Sequence, residues 1–269
     1  MSKHIGIIAI LVIFPFCSIY ADSYGNTQYN FSFTIPYRWV EIPKTRIDER
    51  MRQVASATRT NFINYIAGFQ DSGVEEFGYP NMLLQYHDLR GHNITWNDFV
   101  ENMGNIDLDS YISDTGYEDF LGDFNLATPL IDSTKNMIIH NAETDVVGVG
   151  VLRSIVVLYL GKNGILQINI TVPRNVYNRY SQDIITIIES LSFDYGYRFI
   201  DSISEGNNTQ QSNDSINTPP DTVNRAIQRG RTGFFSGIGY AFIFSIFFGG
   251  IAFIKYIVKK NRKDNNNND

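Results

Sequence analysis

The chain of 269 residues is 43% hydrophobic and 19% charged, a globular composition with room for one or two domains. Residues 22–231 hold 26 acidic and 16 basic side chains, a net of −10, which argues against nucleic acid or anionic lipid as a partner of that region as a whole. The one cysteine, Cys17, falls in an N-terminal leader, so a processed chain has no disulfide, thiol nucleophile or cysteine metal site.

The leader runs from the positive Lys3 through the apolar stretch Ile5–Phe16 to Ala21, with polar residues after it. That order predicts a secretory signal peptide over 1–21, cleaved after Ala21. The uncharged run Ile5–Ala21 has 17 residues, short of the roughly 20 that a spanning helix needs. The bulky Phe14-Pro15-Phe16 before Cys17 disfavours lipoprotein processing.

A folded unit is expected over 22–201. Tyr29–Ile35 alternates apolar and polar residues and reads as a strand, with Val40–Pro43 a short extended piece beyond Pro36. Lys44–Ala57 predicts a helix, in which Glu49 and Arg52 have ion-pair spacing. Phe62–Phe69 and Met82–Tyr86 read as strands, and Thr95–Met103 as a short helix capped by Thr95. Val149–Leu160 and Ile165–Val172 form a hairpin across Gly161-Lys162-Asn163-Gly164, whose glycines are expected to supply positive φ. Val176–Leu191 places Tyr177, Tyr180, Ile184, Ile187, Ile188 and Leu191 on one helical face, which Ile185 widens.

Beyond the folded unit, 202–231 is rich in Ser, Asn, Gly, Gln and Thr and reads as a flexible linker. Thr232–Ile254 contains 23 uncharged residues, enough to cross a bilayer within a transmembrane helix over 232–258. The basic residues after it, Lys255, Lys259, Lys260, Arg262 and Lys263, favour a cytoplasmic tail over 259–269. Gly233, Gly237, Ala241, Ser245 and Gly249 recur at every fourth position, a small-residue ridge suited to pairing with another helix or with a second copy of this chain.

Candidate chemistry is sparse. His87, His92 and His140 complete no known ligand spacing, and the expectation is histidines at strand ends and in a loop, with no metal. Asp98–Asp123 is acidic throughout, but Tyr111 and Ile112 stand where a calcium loop needs an oxygen ligand and a glycine, so a solvated loop is expected. No nucleophile elbow, phosphate-binding glycine loop or zinc-protease motif occurs, so neither catalytic residues nor a cofactor are assigned. Asn30, Asn93, Asn169, Asn207 and Asn213 head glycosylation triplets whose use is left unassigned.

Two segments carry a resemblance. Phe33-Thr34-Ile35-Pro36-Tyr37-Arg38-Trp39 resembles the opening of the PsbP-like and DcrB-like α/β sandwich proteins, and Ile187-Ile188-Glu189-Ser190-Leu191-Ser192-Phe193 resembles the end of their last helix. The resemblance implies an α+β fold, an antiparallel sheet flanked by helices, to which this chain adds one C-terminal transmembrane helix. It also implies a non-catalytic binding or assembly module, without carrying over any functional residue. The expectation is a single-pass, extracytoplasmic module held in the membrane. The alternative is an envelope hydrolase using acidic residues of the 98–123 region.

Overall fold

The computed structural model describes residues 21–58, 62–90, 92, 94–104, 121–146 and 148–200. The segments expected as leader (Ala21 apart), linker, transmembrane helix with the Gly233, Gly237, Ala241, Ser245, Gly249 ridge, and tail therefore lie outside the described residues. Among the described residues no helix is long and apolar enough to cross a membrane.

In chain order the elements are β1 (Asp22–Asn26), β2 (Phe31–Ile35), β3 (Trp39–Glu41), α1 (Lys44–Thr58), β4 (Ala67–Asp71), β5 (Asn81–Asp88), α2 (Trp96–Met103), β6 (Leu121–Leu126), β7 (Leu130–Asp132), β8 (Met137–Val146), β9 (Gly150–Leu160), β10 (Gly164–Pro173), α3 (Tyr177–Ser190) and β11 (Ser192–Phe193). The large sheet has the order β3-β4-β5-β10-β9-β8-β6, with β7 beside β6 on β8, and a small sheet has the order β1-β2-β11. Every pairing is antiparallel. The fold is mixed α/β with antiparallel sheets, as the resemblance implies, but a second, three-stranded sheet shares one face of the large sheet with α3, where helices alone were expected.

Two apolar layers hold the large sheet. On one face Ile47, Met51 and Val54 of α1 and Phe99 and Met103 of α2 meet Leu83, Val156, Leu158 and Ile165. On the other, Phe31, Phe33 and Phe193 of the small sheet and Tyr180, Ile184 and Ile187 of α3 meet Leu84, Val157, Leu166 and Ile168. Each such side chain contributes about 1.5–3 kcal/mol when fully buried. Central β10 is covered on both faces, so its polar Gln167, Asn169 and Thr171 are buried with its aliphatics.

Several expectations need correction. The strand read from Tyr29 starts at Phe31, because Asn26 Oδ1 accepts from the Gln28 and Tyr29 amides and Asn30 turns at φ 57°. The unforeseen β1 precedes that turn. The strand read over Phe62–Phe69 is confined to Ala67–Asp71. Glu49 pairs one turn back, with Arg46 at 2.8 Å, and not with Arg52 as expected. Ile185 is 44% exposed and stands outside the packed face of α3. Thr95 does cap α2, in a full capping box with Asp98.

The hairpin glycines act differently from the expectation. Neither Gly161 nor Gly164 has a positive φ. A Cβ on Gly161 would lie 2.6 Å from the Phe193 ring, and one on Gly164 would fall against the Tyr86 ring. The two glycines let aromatic rings lie flat on the hairpin end, which matters for the site below.

Candidate functional site

The structure brings the expected site residues no closer together. His87 is on β5 and His140 in the interior of β8, with β10 and β9 between them. His140 is not at a strand end or in a loop, as expected, but 1% exposed within the sheet. Burial lowers its pKa to about 4, with a hydrogen bond to the Met103 backbone working the other way. His87 Nε2 is hydrogen-bonded to Gln167 Oε1 at 2.8 Å. Gln167 Nε2 in turn donates to Asn169 Oδ1 at 2.9 Å. Asn169 is 3% exposed, which closes that triplet to a glycan in the folded chain.

Of the acidic stretch, Asp98 is committed to the cap, its Oδ2 accepting from the Thr95 amide at 3.0 Å. Residues 105–120 lie outside the described ones, and with them Asp107 and Asp109. Among the described residues no three His, Asp or Glu side chains group as metal ligands do.

The residues behind the family resemblance form a joint. Trp39 Nε1 donates to Asp183 Oδ2 at 3.2 Å, and Tyr180 OH donates to Asp71 Oδ2 at 3.0 Å. Arg38 stacks over the Tyr180 ring at 5.2 Å, its Nε 3.8 Å from Asp183 Oδ2. These contacts pin the crossover from β2 to β3 onto α3.

A cleft that sequence reasoning missed lies at one end of the sandwich. It is lined by Gln28, Tyr29 and Asn30 from the β1–β2 turn, Tyr86, Asp88 and Arg90 from the end of β5, Asn163 from the β9–β10 hairpin, and Phe193 and Tyr197 beyond α3. Its volume is about 180 Å³. The Tyr29 and Tyr86 rings stack at 4.3 Å between centroids. Phe193 is wedged between Tyr159 at 4.9 Å and Phe31 at 6.4 Å.

Backbone hydrogen bonds hold the contributing loops together. Leu89 N donates to Asn163 O at 2.8 Å, Lys162 N to Tyr197 O at 2.9 Å, and Asp194 N to Asn30 O at 2.8 Å. The cleft is therefore preorganised by the strand order β5-β10-β9, which sets the end of β5 beside the hairpin. Aromatic and amide residues flanking turns were the only sequence signal for it.

Electrostatically the cleft is self-neutralised at its rim. Arg90 Nε donates to both Asp88 oxygens, at 2.9 and 2.8 Å, and Nη2 also contacts Oδ2. Those bonds hold the Asp88 carboxyl below its ordinary range and raise Arg90. Burial, with Asp88 adding to it, pushes the Tyr86 phenol up to about 12. The cleft thus offers aromatic faces, amides and a paired ion couple.

No family profile matches the sequence, and no curated protein matches it. Among solved structures, the chain is similar to the solution structure of cyanobacterial PsbP (CyanoP) from Synechocystis sp. PCC 6803, over 71% of this chain and 98% of that one, at 11% identity and a TM-score of 0.39.

Proposed function

We propose that this chain is a membrane-tethered binding or assembly module displayed outside the cytoplasm, with the aromatic cleft as its contact site. The tether rests on the sequence: the leader, the polar linker over 202–231 and the apolar segment Thr232–Ile254. The small-residue ridge from Gly233 to Gly249 gives that segment a close-packing face for a helix partner or a second copy.

The observation that carries the binding reading is the cleft, open, preformed and walled by tyrosines. Sites for drug-sized ligands run to about 300–1,000 Å³. A cleft of about 180 Å³ suits one side chain or one headgroup of a larger partner. Its ion couple favours recognition over catalysis, since the carboxylate is already paired.

A photoactivatable residue in place of Gln28, at the exposed lip, tests this in the native membrane. Adducts are expected, identified by mass as protein or lipid, and Tyr29→Ala with Tyr197→Ala should remove most of them. Adducts that persist unchanged in that double variant would place the contact site elsewhere.

A further inference from the structure

We propose that the cleft-bearing end of the sandwich, with Tyr195, Tyr197 and Ile200 foremost, rests on the lipid headgroup layer of the bilayer that residues 232–254 cross. This inference rests on the tethered reading above and names the partner of the same site.

Exposure is the first observation. Tyr195 is 96% exposed, Ile200 71% and Tyr197 39%. Single exposed apolar residues are ordinary on a monomer, but these share one six-residue segment. That segment is not a loose end. Tyr197 N donates to Asp194 O at 3.0 Å, Tyr197 O accepts from Lys162, and Arg198 bridges to Gly161. Covering the exposed tyrosine rings and Ile200 would gain free energy in proportion to the apolar area removed from water. Tyrosine, with an apolar ring and a polar tip, is enriched at the level of lipid headgroups.

Local charge is the second. Residues 22–231 carry a net of −10, which opposes approach of an anionic surface to the unit as a whole. The cleft end departs from that balance. Arg90 neutralises Asp88, and the exposed Lys162 and Arg198 outnumber Asp194. Approach by this end therefore avoids the acidic remainder of the unit and offers cations to phosphates.

Connectivity is the third. Arg198 bridges to Gly161 at this end, and two residues on, from Ile200, the chain 201–231 leads to the apolar segment. A polar coil spans about 5–6 Å × √n, so a linker of this length reaches ~30 Å. The end from which the linker departs is held within one domain diameter of the bilayer. At the resulting effective concentration a weak surface affinity suffices.

The processed chain lacks cysteine, so single labels can be placed in the full-length protein in nanodiscs of phosphatidylethanolamine and phosphatidylglycerol. An environment-sensitive dye goes on Tyr195→Cys. A second goes on Asn178→Cys, in the first turn of α3 at the opposite end, one length of the 10-residue β10 away, or about 30 Å. Lipids bearing a nitroxide near the headgroup should quench the dye at 195 several-fold more than the dye at 178. Lys162→Glu with Arg198→Glu should reduce that quenching. Equal quenching at both positions in an incorporated protein overturns the docked orientation and leaves the tether intact. A full-length chain released from membranes by alkaline carbonate overturns the tether and this inference together.

Discussion

His140 concentrates the residue-scale argument. It sits within the sheet with Val156 opposite it on β9, and burial, working against a hydrogen bond to the Met103 backbone, favours the neutral ring down to a pKa of about 4. An unfolded histidine titrates near 6.5, so between about pH 6.5 and 4 the unfolded chain binds the extra proton. Stability contributed by the neutral ring is therefore complete above pH 6.5 and is lost as pH falls towards 4. The loss is on the order of 3 kcal/mol at about 1.4 kcal/mol per pKa unit. Unfolding by urea should show a midpoint falling through this window in the wild type, and a flatter profile in His140→Gln. Identical slopes would mean that other groups dominate the acid response. That burial follows a period-2 pattern along β8, in which Ile138, His140, Ala142, Thr144 and Val146 are buried and the residues between them are more exposed.

At the scale of elements, the β9–β10 hairpin couples fold to site. Its two apolar runs and its intervening glycines were legible in the sequence, since β-branched residues bounded by Gly punctuate strands. The reason for the glycines was not. Phe193 arrives from 29 residues beyond Gly164, and Tyr86 from the neighbouring β5, so the requirement for absent Cβ atoms is tertiary. Gly164→Ala is expected to displace Tyr86 and to cost about 1–3 kcal/mol by overpacking. Loss of the Tyr29–Tyr86 ring-current shift in NMR spectra should accompany it. A variant with wild-type stability and unshifted tyrosine resonances would show that the hairpin end yields without the rings moving. The α2 cap illustrates the opposite case: Thr95 and Asp98 act within one turn, and the sequence sufficed to place them.

For the molecule as a whole, β1 decides where the folded unit begins. Tyr24 lies 5.3 Å from Phe33 and 5.2 Å from Phe69 between ring centroids, closing the small sheet over the large one. A fragment starting at Asp22 should therefore exceed one starting at Thr27 in stability, by roughly 1–2 kcal/mol since Tyr24 is only half-buried. Denaturant midpoints of fragments 22–200 and 27–200 make the comparison, and equal midpoints would reduce β1 to an ornament of the edge. β1 itself was not legible, because Asp, Gly and Asn give it little strand propensity and only its partner β2 supplies the pattern.

Sequence by itself determined the elements whose signal is local: α1, α2 and its cap, α3, the β9–β10 hairpin, and the absence of cysteine beyond Cys17. Periodicity reports which residues share a face, over a window no longer than the element. Tertiary structure decided what covers each face and which loop ends meet. It buried Gln167 and Asn169 on a strand that alternation alone would leave half-solvated, and it turned Ile185 outward. It also brought Tyr29, Tyr86, Phe193 and Tyr197 into one cleft. Their proximity follows from strand order and register, which hydrogen bonding between distant segments sets and no single window of the chain encodes.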